Sequence, residues 1–323
     1  MRLEDIRKAY ISEGFSYLDA GSRTSQDVKN TTGVENIMSQ MYPKYRRQRF
    51  LLAFIRQLDS GVTPNELQKL MFLYTMEVNS DYYEFLPYKF GSYSFQLAED
   101  VDILRRDGFV KADSATIKAA GKYIVEDVFD IPAERGDNLI RRAYREHPYY
   151  TINSEMIPSL FHKDEVESFN GERQKYKQTN QTLFTIGYEG RSIEAFINIL
   201  IKNGIKLLCD VRKNPLSRKF GFSKGKLEYI TGTVGIKYIH IPNLGIESDK
   251  RVSLKTTEDY ANLFCEYEKT LPTLAPYLEY VYTLLCSSTR IALLCYEHEA
   301  SMCHRHVVRD YIVNTHEVRS IDL

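Results

Sequence analysis

The sequence predicts two folded parts. Residues 182–323 read as an α/β domain with an open, mostly parallel sheet and flanking helices, and residues 41–136 as a mainly α, winged-helix-like domain. Three observations carry this. After residue 181, short apolar runs alternate with amphipathic stretches of helical period, the pattern of βαβ units. Before residue 137, apolar residues recur at helical spacing and lead, past a glycine stop, to the short run "FVKAD". Between the two parts, "FNGERQKYKQTNQ" is almost wholly polar and reads as a linker.

A chain of 323 residues accommodates two domains at roughly 150 residues each. Its 43% hydrophobic and 27% charged residues are ordinary for a soluble protein. Lys plus Arg and Asp plus Glu both number 43, giving a net charge of zero. Bulk charge therefore draws the protein to neither nucleic acid nor membrane, and any DNA contact must come from local basic patches. The sequence holds no run of about 18 apolar residues, so no membrane span is expected. There are 24 Tyr and no Trp; tyrosine can stack on bases, but most will be core and boundary residues. All five cysteines (Cys209, Cys265, Cys286, Cys295 and Cys303) lie after residue 208. Their odd number, the absence of framework spacing and an opening "MRLEDIRKAY" without a signal-like apolar core favour free thiols in a reducing cytoplasm. No cofactor signature is read, and a homodimer is compatible with this composition.

Residues 1–40 read as a polar extension: a short helix, a flexible stretch and a second short helix. From there "MYPKYRRQRFLLAFIRQL" sets Phe50, Leu51, Phe54, Ile55 and Leu58 on one helical stripe. "GVTPNELQKLMFLYTME" offers Thr63 as N-cap and Pro64 at the first helical position, with Leu67, Leu70, Met71 and Tyr74 inward. "PYKFGSYS" is an aromatic loop or short strand, "SFQLAEDVDILRRDG" a helix stopped by Gly108, and "FVKAD" the start of a wing strand. Three helices closing on a strand is a winged-helix order, and a plain helical interaction module remains the alternative. Lys44, Arg46, Arg47 and Arg49, interleaved with Tyr42 and Tyr45, are candidates for phosphate contact, as are Arg141, Arg142 and Arg145 on a later helix. Residues 137–181 read as a helical connector and linker.

In the second part "TLFTIGY" is a buried strand. "RSIEAFINILIKNG" is a helix capped by Ser192, with Ile193, Phe196, Ile197 and Leu200 inward and Asn203-Gly204 as its stop. "IKLLCDVR" and "GIKYIHIPNLG" are further strands. A helical stretch interrupted by Pro272 and Pro276 follows, then the strand "RIALLCYE", the helix "CHRHVVRDYIVN" and a last strand in "VRSIDL". Strand, helix and strand at this spacing force parallel pairing and a right-handed crossover.

Ligand sites in such sheets lie beyond the carboxyl ends of the strands. There stand Glu189 and Arg191; Asp210, Arg212, Ser217, Arg218 and Lys219; and Glu297, Cys303, His304 and Arg305. Arginine forks at helix N-termini suit phosphate or another oxyanion. Carboxylates among them can orient, act as bases or act as nucleophiles, whereas structural ion pairs would use the same residues. Phe222, in the long polar loop "DVRKNPLSRKFGFSK", either covers a bound base or anchors the loop. Cys303 at a helix start beside His304 and Arg305 suggests a partly ionised thiol, although Arg305 is too near for a phosphatase loop. His298, Cys303, His304 and His306 raise zinc, but residues 304 and 306 face different sides of a helix and no second ligand pair is read, so no metal is expected.

"TIGYEGRS", "CDVRKNPLSRKFGFSK", "YIHIPNLG" and "LLCYEHEASMCHR" resemble, in order and spacing, the domain of unknown function 488 family over roughly residues 182–315. Residues 41–170 resemble a winged-helix module of the kind fused to that domain. The resemblance implies cytoplasmic proteins of bacteria and archaea with an enzyme-like polar site and suspected links to DNA-related or defence processes. It implies site positions at Gly187 and Arg191; Asp210, Arg212, Pro215, Ser217 and Phe222; Leu244 and Gly245; and Glu297, Cys303, His304 and Arg305. The chain departs from the family pattern at Ile246, where members commonly carry a second glycine.

The leading expectation is a DNA-associated protein whose α/β domain acts on a nucleotide or nucleic-acid unit, by metal-independent hydrolysis or transfer at a glycosidic or phosphoryl centre. Glu297 or Asp210 would be base or nucleophile, His304 the acid, and Arg191, Arg212 and Arg305 the anion clamps. The alternatives are a non-enzymatic transcription regulator sensing an anionic metabolite, and a protein-partner module of a toxin or defence system.

Overall fold

The computed structural model describes residues 42–113, 115–121, 129–251, 254 and 256–323. The extension expected over residues 1–40 lies outside them. The N-terminal part starts with helix α1 (Arg46–Gln57), which buries Phe50, Leu51, Phe54 and Ile55 as the stripe predicts. Helix α2 (Pro64–Val78) starts at a capping box: Thr63 accepts from the Glu66 amide while Glu66 reaches back to the Thr63 amide. This satisfies amides that would otherwise lack partners at the helix start.

"PYKFGSYS" folds as an antiparallel hairpin of β1 (Leu86–Tyr88) and β2 (Gly91–Tyr93). Helix α3 (Phe95–Arg106), capped by Ser94, ends before Gly108, whose φ of +81° suits glycine. Strands β3 (Val110–Ala112) and β4 (Ile117–Ala119) pair antiparallel, and Val62 bridges to Ile117. Helices α4 (Gly136–Glu146), α5 (Ile157–Leu160) and α6 (Lys163–Gln174) follow. The stretch expected as a connector thus continues the helical core: Leu139, Ile140, Tyr144, Leu160 and Phe169 are buried with Phe54 and Phe72. Tyr144 and Phe169 supply the aromatic surface that a free linker would lack.

The second part runs β5 (Thr182–Gly187), α7 (Ile193–Lys202), β6 (Leu207–Asp210), α8 (Lys224–Thr233) and β7 (Lys237–His240). It continues through α9 (Thr257–Glu268), α10 (Leu271–Ser288), β8 (Arg290–Cys295), α11 (Arg305–His316) and β9 (Ser320–Asp322). The strands form one five-stranded sheet in the order β7-β6-β8-β5-β9, and each pairing is parallel. β5, β6 and β8 are buried along their whole length, so they read as continuous apolar runs.

Alternation along the strands sorts side chains to two faces. Phe184, Ile186, Leu208 and Leu294 pack with α7 and α8 on one face. Leu183, Leu207, Cys209, Ile291 and Leu293 pack with α9, α10 and α11 on the other. Connections leaving β5 and β6 therefore cross one face, and the connection leaving β8, which lies between them, crosses the other. β8 is the topological switch strand, and open α/β sheets bind ligands outside the carboxyl end of such a strand.

The two parts share an apolar core. Leu86, Tyr88, Phe95 and Ile152 cluster with Ile193, Phe196 and Ile197, so the hairpin and the start of α3 pack directly on α7. Full burial of each such side chain contributes about 1.5–3 kcal/mol.

Candidate functional site

The loop after β5 depends on a missing side chain. A Cβ on Gly187 would stand 1.8 Å from the Glu297 carbonyl oxygen, so the loops after β5 and β8 cross here only because the residue is glycine. The amides of Tyr188 and Glu189 then donate to the Tyr296 carbonyl at 3.1 and 2.9 Å. The chain turns through Gly190 (φ +74°) and enters α7 at its Ser192 cap. This sets Arg191 immediately before a helix N-terminus. Arg191 Nη2 lies 3.1 Å from His298 Nε2. Its Nη1 is buried and, among the described residues, has no hydrogen-bond partner. Burial and then the charge of Arg305 pull the Arg191 pKa below its ordinary value. Lys219, whose Nζ donates to the Tyr188 carbonyl at 3.2 Å, is also pulled down by burial, with Glu189 acting against it. The exposed Glu189 accepts from the His298 amide at 3.0 Å.

Asp210 and Arg212 are turned inward. Asp210 is fully buried and Arg212 nearly so. They form a bidentate pair, Nε to Oδ1 at 2.8 Å and Nη2 to Oδ2 at 2.5 Å, while the Tyr238 hydroxyl donates to Oδ2 at 2.6 Å. Burial works against the Arg212 charge, but the hydrogen bonds and charge of Asp210 outweigh it and raise the pKa. Arg212 Nη1 also donates to the Tyr188 hydroxyl and the Phe222 carbonyl. The expected base and clamp thus act as an internal tie between β6, β7 and the following loop, because every polar atom of Asp210 is already engaged from within. Phe222 is buried and stacks on Tyr188 with ring centroids 4.3 Å apart, so it anchors the loop rather than covering a ligand. Ser217 holds the same loop, accepting from the Lys219 amide, and Arg218 is exposed.

Arg305 corrects a second expectation. It is 1% exposed and donates to the Glu297 carbonyl at 2.5 Å, the His298 carbonyl at 2.8 Å and the Thr185 hydroxyl at 3.2 Å. It is a strut under the β8 loop rather than an anion clamp. Cys303 is likewise buried, and burial pushes its thiol well above the ordinary range, so the helix start does not leave an exposed thiolate. His304 is 2% exposed, with Nε2 donating to the Val211 carbonyl at 3.1 Å; an exposed acid is not what its position provides. Glu297 keeps a half-buried carboxylate, 3.9 Å from Arg251.

The basic residues of the N-terminal part divide in two. Arg47 pairs with buried Asp100 at 2.5 Å, Arg141 with Asp137, Arg145 with Glu165, and Arg142 with Glu77, Glu134 and Glu146. All four are paired with carboxylates; Asp137 lies one turn before Arg141, but Asp100, Glu77 and Glu165 come from other elements, which sequence distance concealed. Among the described residues Lys44, Arg46 and Arg49 have no carboxylate partner, and all three are exposed; Arg49 donates to the Pro43 carbonyl.

One set of residues went unread in the sequence. Glu194 on α7 is buried and accepts from the Gln96 amide at 2.9 Å and the Ser94 hydroxyl at 3.3 Å. Asn198, one turn later, donates to the Phe85 carbonyl and accepts from Tyr149, and Ser192 meets Glu84. The signal was present as Glu194 and Asn198, four apart, with Lys202 continuing the same row on a helix whose remaining residues are apolar. A cavity of about 770 Å³ lies between the parts near Asn153, Arg173 and Lys206, at the amino ends of β6 and β7. Sheet topology favours the opposite edge for a ligand.

Residues 192–312 match the family model of the domain of unknown function DUF488, so the α/β domain belongs to that family. The match covers the Asp210–Phe222 loop and the Cys295–Arg305 segment and starts one residue after Arg191. No curated protein and no solved structure matches the chain.

Proposed function

We propose that the chain is a ligand-responsive regulator. Its α/β domain takes an anionic, nucleotide-like ligand at Arg191, and its N-terminal part contacts DNA through Lys44, Arg46 and Arg49. The observation that carries this reading is the position of Arg191 directly before α7. Its fork lacks a carboxylate among the described residues, and three residues later Glu194 caps α3. A buried guanidinium nitrogen without an acceptor is costly, and a phosphate oxygen at a helix N-terminus would supply both an acceptor and a charge. Lys219 and His298 border the same space. Ordering of the Arg191 turn reaches α3 through a packed helix with two discrete anchor points.

This reading favours sensing over hydrolysis because Asp210, His304 and Cys303 have internal partners, leaving Glu297 as the half-exposed carboxylate among the expected catalytic residues. The test is an equilibrium titration of the full chain with inorganic phosphate, pyrophosphate and nucleoside mono-, di- and triphosphates, with each nucleotide examined afterwards by mass spectrometry. Binding should weaken about 10- to 100-fold in Arg191→Met, the loss of a charge-assisted hydrogen-bonding group, with every nucleotide recovered intact. A nucleotide product that disappears in Glu297→Gln would return the domain to the enzymes. Binding unaffected by Arg191→Met would remove the proposed site.

A further inference from the structure

We infer that Cys295, Cys303 and His304 form a three-ligand binding site for a zinc-class divalent ion, with the fourth position left to a solvent molecule. The three side chains are buried, and their donor atoms lie within 4.8 Å of one another. His304 Nδ1 stands 3.7 Å from Cys295 Sγ and 3.9 Å from Cys303 Sγ. With zinc–sulfur bonds of about 2.3 Å and zinc–nitrogen bonds of about 2.05 Å, a tetrahedral site has sulfur–nitrogen edges of roughly 3.6 Å. The edges observed need to contract by only a few tenths of an ångström.

The imidazole is oriented for this role. A carbonyl oxygen can only accept, so the contact with Val211 puts the His304 proton on Nε2 and leaves the Nδ1 lone pair facing both sulfurs. Metal-bound histidines characteristically donate their second nitrogen to such a carbonyl or carboxylate, which fixes tautomer and ring angle. The Tyr267 ring packs edge-on against the same imidazole at 5.7 Å. Two sulfur donors and one nitrogen select zinc or another thiophilic ion over magnesium and calcium. Binding releases two thiol protons to solvent; two thiolates, a neutral imidazole and a dication then sum to zero, which suits a buried site.

The sequence had pointed away from zinc because His304 and His306 face apart. His306 indeed serves elsewhere, its Nδ1 lying 2.6 Å from the Cys303 carbonyl oxygen. The third ligand is Cys295, at the last position of β8, which the sheet carries to the start of α11.

The full chain, purified from zinc-supplemented culture without chelator, should carry about one metal per chain by elemental analysis. Refilled with cobalt(II), it should show a thiolate-to-cobalt charge-transfer band and intense tetrahedral visible bands. Cys303→Ser and His304→Ala should lower metal content at least about tenfold. The double variant Cys265→Ser/Cys286→Ser, which removes the two exposed thiols, should leave content and spectrum unchanged. The cobalt spectrum of the wild-type chain needs no variant to fold. Its absence, or its loss in the double surface variant, would overturn the proposal. So would thiol counting that finds Cys295 and Cys303 joined as a disulfide in the freshly isolated protein.

Discussion

Glu194, the second residue of α7, accepts the backbone N–H of Gln96, the second residue of α3, at 2.9 Å. A carboxyl group of the α/β domain therefore completes the N-terminus of a helix in the preceding domain, where the first amides have no partners within the helix. Burial pushes this carboxyl up from 4.5 to about 7, against hydrogen bonds from Gln96 and Ser94 that pull it down. The folded state thus keeps a proton that the unfolded state releases, and stability falls as pH rises from about 4.5 to about 7, by at most about 3 kcal/mol. Glu194→Gln keeps the accepting oxygen and removes the titration. Urea unfolding at pH 5 and pH 8 should show the wild type losing stability relative to this variant across that interval.

Lys69 titrates in the opposite sense. It is wholly buried on α2, donates to the Ser92 carbonyl at 2.7 Å, and burial pulls its pKa from 10.5 to about 7. Between these values the unfolded state binds the extra proton, so this residue makes stability rise with pH from about 7 to about 10.5. Lys69→Met should be more stable than wild type at pH 7 by about 1–3 kcal/mol, after the loss of one hydrogen bond. That advantage should shrink in unfolding curves at pH 10.

The Asp210–Arg212 pair is buried on both sides. Asp210→Asn leaves a buried guanidinium without its counter-charge and should cost about 3–5 kcal/mol. Asp210→Asn combined with Arg212→Met should recover part of that loss. Denaturant midpoints of the two variants give the comparison; an equal midpoint for Asp210→Asn and wild type would show the pair to be dispensable.

Two glycines in one turn separate steric from conformational demand. Gly187→Ala would press a methyl against the Glu297 carbonyl that Arg305 holds, and should cost about 3 kcal/mol or displace the β8 loop. Gly190→Ala meets no atom within 4 Å and bears only the strain of its φ of +74°, about 1–2 kcal/mol. Thermal unfolding of both should rank Gly187→Ala below Gly190→Ala.

Periodicity made the fold legible. The Thr63 cap, the Phe50–Leu58 stripe, the Ser192 cap and the strands ending at Gly187, Asp210 and Cys295 are local signals, and they located the sheet edge. The roles along that edge were less legible, because whether an arginine is free depends on partners far away in sequence. Arg212 finds its carboxylate two residues away, but Arg142 meets Glu77, and Arg305 finds carbonyl oxygens that no side-chain pattern encodes. Arg191 and Arg305 read alike in sequence, yet Arg305 is saturated and Arg191 is not. Cys295 was passed over because, as a strand residue, it looked like core.

Amide hydrogen exchange shows whether the Arg191 turn and α3 respond together to a ligand. The full chain would be compared with and without the phosphate compound that binds most tightly in the titration, alongside Arg191→Met. If the two are coupled, the compound changes protection both in residues 188–198 and in Phe95–Arg106 of the wild type, and in neither segment of Arg191→Met. Protection confined to the loops after β5 and β8, with α3 unaltered, would contradict that coupling.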